Sequence, residues 1–173
     1  MNEERSCNKY HHFMRSLANQ PNHEQFKGFQ KHEEEGWCGP ATLQFIARQE
    51  GLLYTQSQLA RILGTSHEEG TSHLQMFNGA REIGLHPVMI RNATLDILEE
   101  LLPQYHIIVN WMDGTNEKDD GHYSVLKDVK DAQVYLDDTY MCIDSFNEKW
   151  YDIEKEGRVN RWAMMVKRNL IEK

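Results

Sequence analysis

The sequence predicts a single α+β domain in which helices come first and an antiparallel sheet follows. In the first half, apolar residues recur at helical spacing in three segments, and each segment ends at a glycine. In the second half, the pattern changes mainly to short apolar runs separated by turn residues, which is typical of strands. A chain of 173 residues is long enough to bury a core of its own.

Each of the three helices has local start and stop signals. In the first, Pro40 is suited to the first helical position, which places Cys38 at the mouth of the helix, and Gly51 provides the stop. Thr55 opens the second helix with a capping-box sequence, and Gly64 closes it. Ser72 is a good N-cap for the third helix.

The second half is predicted to form five strands and two short helices. The central strand contains the run Ile107-Ile108-Val109, which is suited to burial on both faces. Asp131-Ala132 is expected at the turn of a hairpin. The predicted strands cover residues 86–91, 105–112, 122–130, 133–136 and 161–166, and the helices start at the caps Thr94 and Asp144.

The chain divides into an N-terminal extension, residues 1–25, and a domain, residues 26–173. Helical spacing of apolar residues predicts that the extension is helical and packs on the domain. Its histidines raise the alternative of a metal site. However, His11 and His12 are adjacent and point in different directions on a helix, so solvated surface is the default and no metal site is predicted.

Composition excludes several classes of function. The chain has 19 Lys and Arg residues against 27 Asp and Glu, a net charge of −8, which weighs against nucleic-acid binding. It has no apolar run of membrane-spanning length and no signal-peptide pattern. Three cysteines at irregular spacing predict no disulfide framework, so a reducing, cytoplasmic location is the simplest expectation.

Cys38 is the first candidate for chemistry. At the start of a helix, unpaired backbone N–H groups and the helix dipole stabilise a thiolate. The alternative is a buried structural thiol, because free cysteine is among the most buried residue types. The segment by itself leaves both interpretations open.

His122 is the second candidate, because it begins a predicted strand directly after a long polar loop. The partner strand of the hairpin ends in Asp137 and Asp138, so the geometry places these carboxylates beside His122. A carboxylate can orient an imidazole that activates a thiol. The alternative is a half-buried strand histidine and a turn-forming aspartate.

Three motifs in this order and spacing resemble one family. The motifs are Cys38-Gly39-Pro40-Ala41, then His122-Tyr123-x-Val125-Leu126, then Val134-Tyr135-Leu136-Asp137-Asp138. They resemble the C39-like peptidases of the papain-like cysteine protease superfamily, over residues 26–167. The resemblance implies a papain-like fold, with helices packed on the antiparallel sheet.

The resemblance also implies roles for four residues. Cys38 is then the nucleophile, and His122 is the general base and acid. Asp138 matches the orienting aspartate better than Asp137, and only one of the two should face His122 because side chains alternate across a strand. Gln30 is the candidate for the glutamine whose side-chain N–H stabilises the oxyanion. No cofactor is implied.

Two departures from the family pattern concern the site. The family glutamine often stands about six residues before the cysteine, whereas Gln30 is eight before Cys38. The family aspartate is usually followed by proline, whereas Thr139 follows Asp138. In addition, the acidic run 33–35 would raise the pKa of a nearby thiol, an effect that a solvated loop would blunt.

The expected function is therefore cysteine-dependent hydrolysis of a peptide or other amide. Family members best known for bacteriocin maturation are fused to membrane transporters. That role is not expected here, because the chain contains no membrane segment and no room for an ATPase. Two alternatives remain: acyl transfer to an amine through the same thioester, and a non-catalytic domain that holds a peptide.

Overall fold

The computed structural model describes residues 32–34, 36–112 and 121–169. The predicted N-terminal extension, Gln30 and most of the polar loop before His122 lie outside these residues. Within the described ranges the chain forms helices packed on an antiparallel sheet, as predicted.

Five helices are present in the described part of the chain. Thr55 and Ser72 each form a complete capping box, with Gln58 and Gln75 respectively, so both predicted helix starts are confirmed. No helix among the described residues is long and apolar enough to cross a membrane. The helices are α1 Cys38–Gln49, α2 Gln56–Leu63, α3 His73–Glu82, α4 Leu95–Leu101 and α5 Ile143–Lys149.

In residues 32–34, 36–112 and 121–169, eight strands form two separate sheets. The larger sheet has the order β1-β8-β2-β3-β4-β5, and β6 pairs only with β7; every pairing is antiparallel. Asp131 and Ala132 occupy the β3–β4 turn with φ of 52° and 57°. The strands are β1 Pro87–Ile90, β2 Tyr105–Met112, β3 Gly121–Lys130, β4 Gln133–Leu136, β5 Tyr140–Cys142, β6 Tyr151–Glu154, β7 Gly157–Asn160 and β8 Ala163–Lys167.

Three strands lacked a clear sequence signal. The β5 strand has only three residues, and β6 and β7 form a partly exposed hairpin with little apolar alternation. The predicted cap at Asp144 is wrong, because α5 begins at Ile143 and its N-cap position, Cys142, forms no side-chain cap. A short, mostly exposed element needs few apolar residues, so its pattern is weak.

The larger sheet is buried on both faces, which confirms the expectation for its central strand. Ile108 packs with α1, α2 and α3 on one face. Ile107 and Val109 pack on the other face with residues of α4 and α5. All three side chains are fully buried. The continuous apolar run thus reflects a strand between two layers of helices.

Tyr123 of β3 forms one hydrogen bond with α1 and a second with the segment before α3. Thr42 Oγ1 donates to the Tyr123 carbonyl at 3.1 Å, and the Tyr123 hydroxyl donates to the Thr71 carbonyl at 2.9 Å. Gly39 allows this close approach, because a Cβ there would lie 2.4 Å from Thr71 Oγ1. The first residue of α1 therefore lies beside the start of β3.

Candidate active site

Cys38 is the first residue of α1 and is half-buried. The N-cap, Trp37, forms no side-chain hydrogen bond to the helix start, and the first turn contains no acidic residue. The unpaired N–H groups of this turn therefore favour negative charge near Cys38. Cys38 is the free cysteine among the described residues.

His122 lies at the start of β3, next to Asp138. Its Nε2 forms a hydrogen bond with Asp138 Oδ2, and the two side chains are 18% and 17% exposed. Trp111, the cross-strand partner of His122, packs edge-on against the imidazole with a centroid distance of 5.5 Å. Because Nε2 is taken by Asp138, Nδ1 is the ring nitrogen left for Cys38.

The environment of His122 favours the imidazolium. Burial by itself lowers the pKa of the ring, but hydrogen bonds to Asp138 and Cys38 and their negative charges raise it from 6.5 to about 10. A raised pKa means that this pairing stabilises the folded state fully below about pH 6.5. The contribution is lost as pH rises through about 10.

Asp138 is held by a hydrogen-bond chain that the sequence analysis did not find. Its Oδ1 accepts from Ser124 Oγ at 2.8 Å, and Ser124 Oγ accepts from Trp111 Nε1 at 3.0 Å. Trp111 and Ser124 belong to the buried central strands, where they resemble ordinary core residues. Only the register between β2 and β3 shows that they support Asp138.

Asp137, the neighbouring carboxylate, is directed elsewhere. Its Oδ1 accepts from the Val125 N–H at 2.7 Å, and its own N–H donates to the Val125 carbonyl at 2.9 Å. Burial, followed by repulsion from Asp138, raises the pKa of Asp137 to about 7. Asp138, and not Asp137, therefore forms the contact with His122, which is the arrangement that side-chain alternation led us to expect.

The loop before Cys38 contributes a second histidine. The His32 ring lies 5.7 Å from the His122 ring, and burial together with the charge of His122 lowers the pKa of His32. No sequence signal singled out His32. Glu33 and Glu34 are exposed to solvent, so their effect on a thiol is blunted by water. Gln30 lies outside the described residues.

Cys38, His122 and Asp138 lie next to one another. A thiol stands at a helix start, an imidazole adjoins it, and a carboxylate holds the far side of the imidazole. Such a group can generate a thiolate and return a proton to a leaving group. Acyl transfer through a thioester is the chemistry that this geometry allows.

Solved structures with a similar fold are peptidase domains. The peptidase domain of Streptococcus ComA, a bi-functional ABC transporter, is 20% identical with a TM-score of 0.64, covering 82% of this chain and 99% of that one. A double glycine motif protease from an AMS/PCAT transporter, in complex with the leader peptide, is 19% identical with a TM-score of 0.59, covering 80% and 89%. A putative C39-like peptidase from Bacillus anthracis is 14% identical with a TM-score of 0.60, covering 80% and 92%.

These structural likenesses, all at low identity, show the fold. The comparison with curated proteins finds no match. The sequence profile of the Peptidase C39 family matches residues 27–154, which is well over half of the chain and includes Cys38, His122 and Asp138. The chain therefore belongs to the Peptidase C39 family.

Proposed function

We propose that this protein is a cysteine peptidase that cleaves an amide bond through a thioester intermediate. Cys38 is the nucleophile, His122 is the general base and acid, and Asp138 orients His122. The observation that carries the proposal is the position of His122, whose imidazole is hydrogen-bonded to Asp138 and lies near enough to Cys38 for that side chain to raise its pKa. Its support is the geometry of the described residues together with the family membership.

The proposed reaction has two halves. The Cys38 thiolate attacks the carbonyl carbon, and the imidazolium of His122 then gives its proton to the departing amine, which leaves a thioester on Cys38. Water next loses a proton to His122 and attacks the thioester, which releases the acid and restores the thiolate. The Cys38 backbone N–H and the Gln30 side chain are proposed to hold the oxyanion.

The proposed substrate class follows from the chemistry of the site and from one similar structure. The similar AMS/PCAT transporter protease is described in complex with a leader peptide. We propose a peptide amide as the substrate class of this chain. Specificity for a double glycine motif is not part of the proposal. Water and an amine compete for the same thioester, so added amine distinguishes hydrolysis from acyl transfer by the products that form.

The pH dependence of Cys38 alkylation tests the proposal. A thiolate paired with the His122 imidazolium should react with iodoacetamide at pH 6 at least about tenfold faster than a thiol of ordinary pKa, near 8.5. Mass spectrometry locates the label. His122→Ala should remove the fast reaction at pH 6, because the thiolate loses its charged partner.

The matched control is His86→Ala, which removes an exposed histidine outside the site and should leave the profile unchanged. Cys38→Ala should abolish the fast label. If wild type and His122→Ala share one profile with a midpoint near 8.5, the proposed pair does not exist. A non-catalytic peptide-binding domain would show that result while still binding peptide.

A further inference from the structure

A second group of titratable side chains lies where the start of α3 meets β6. His73 is the first residue of α3, and Asp152 and Glu154 alternate along β6 so that both reach the imidazole. His73 Nε2 lies 3.1 Å from Asp152 Oδ2, and His73 Nδ1 lies 3.3 Å from Glu154 Oε1. We propose that these three residues, the His73 cluster, bind a divalent transition-metal ion.

The His73 cluster carries more negative charge than its protein partners balance. The side chains of Asp152 and Glu154 are only 14% and 23% exposed, and within the described ranges their ion pairs are with His73. A protonated imidazole supplies one positive charge against two carboxylates. A divalent ion supplies two, and uncompensated charge is costly where water is largely excluded.

The ring of His73 lacks the hydrogen bonds that burial normally requires. Its side chain is 3% exposed, and neither ring nitrogen has a hydrogen-bond partner in the described part of the chain. The contacts with the carboxylates have the distance of ion pairs but not the direction of hydrogen bonds. Ligand atoms around one tetrahedral ion lie roughly 3 Å apart, which the Nε2–Oδ2 distance matches.

An independent unpartnered oxygen points to the same place. Asn110 Oδ1 is buried and has no hydrogen-bond partner among the described residues. A Cβ at Gly121 would lie 2.6 Å from Asn110 Oδ1 and 2.5 Å from Asp152 Oδ1, so glycine leaves room for both oxygens. Asp152 Oδ1 accepts from the Ile153 N–H at 2.7 Å, whereas Asn110 Oδ1 is a buried acceptor that a cation nearby would satisfy.

The ligand set and its rigidity favour a transition metal. An imidazole nitrogen with carboxylate oxygens suits Zn²⁺ or Mn²⁺, whereas Ca²⁺ and Mg²⁺ prefer oxygen alone. One ligand atom from each member of the His73 cluster lies within 4.8 Å of the others. Trp162 stacks on the imidazole with a centroid distance of 4.2 Å, which holds the ring in place. The backbone N–H of His73 donates to Glu154 Oε1 at 2.9 Å, which holds the carboxylate in place.

Zinc titration of the full-length Cys38→Ala protein, without an affinity tag, tests the proposal. The Cys38→Ala background removes the thiol of the candidate active site as a competing zinc ligand. We expect saturable binding of one equivalent of Zn²⁺ by calorimetry and a higher unfolding midpoint when zinc is present. Introducing Asp152→Asn into the Cys38→Ala protein should weaken zinc binding at least about tenfold. Glu154→Gln is a second variant, and circular dichroism checks that both fold.

Two controls isolate the His73 cluster. Glu69→Gln removes an exposed carboxylate, and His11→Ala/His12→Ala removes adjacent histidines of the extension; both should retain zinc binding. The proposal is overturned if Cys38→Ala shows no saturable binding. It is also overturned if Asp152→Asn and Glu154→Gln bind zinc as tightly as their parent.

Discussion

Two of the histidine–carboxylate groups, His122 with Asp138 and His73 with its two carboxylates, differ in what surrounds the ring. His122 and Asp138 are each nearly one-fifth exposed, and the imidazole faces a thiol. His73 is 3% exposed, stacks on Trp162 and touches two carboxylates. The same kind of pair thus lies beside a thiol in one case and in a closed interior in the other.

The difference shows that the groups around a histidine, more than its carboxylate partner, determine the chemistry that the imidazole can perform. The proton of His122 can reach a nucleophile, so the Asp138 contact can serve catalysis. The ring nitrogens of His73 are enclosed, so the carboxylates beside it can serve ion binding or stability. Substitutions at each group should therefore change different observables.

The largest effect expected on stability is from His73→Ala. It leaves Asp152 and Glu154 without their imidazole partner and removes the stacking on Trp162. We expect a loss of about 3–5 kcal/mol in the free energy of unfolding, measured by urea titration with chelator present. At pH 10, where the contribution of the His122 pairing is largely lost, His122→Ala should lose far less stability. Equal losses would contradict the comparison.

Asp138→Asn should have the next largest effect, on reactivity. It removes the negative charge that holds up the pKa of His122, so that pKa should fall from about 10. Cys38 alkylation at pH 6 should slow by about tenfold, because less of the imidazolium remains to stabilise the thiolate. An NMR titration of the His122 ring measures the pKa directly. An unchanged pKa would show that Cys38 alone raises it.

The smallest expected effect is from Asp137→Asn, the matched control for Asp138→Asn. The pKa of Asp137 is raised from 3.8 to about 7, so the folded state binds the extra proton between these values. The Asp137 carboxyl therefore lowers the free energy of unfolding as pH rises from about 4 to 7. The Asp137→Asn variant lacks this pH dependence because its side chain does not titrate. We expect the variant to exceed wild type by about 1 kcal/mol at pH 8 and to match it at pH 4. Equal destabilisation at both pH values would contradict this.

Much of the fold was predictable because its signals are local. The capping boxes at Thr55 and Ser72 and the left-handed glycines Gly51, Gly64 and Gly84 bound the helices where expected. These signals involve residues only a few positions apart, so they can be recognised in the sequence itself. The β6–β7 hairpin was not predicted, since its strands depend on packing rather than on an apolar pattern of their own.

The sequence by itself determined the helix starts at Thr55 and Ser72, the α+β order and the candidates Cys38, His122 and Asp138. Tertiary structure decided which carboxylate meets His122, through the β2–β3 register and the Trp111–Ser124 chain. It also brought His73 to Glu154 across 81 residues. Caps and periodicity arise between neighbours in the chain, whereas burial and pairing between distant strands exist only once the layers pack.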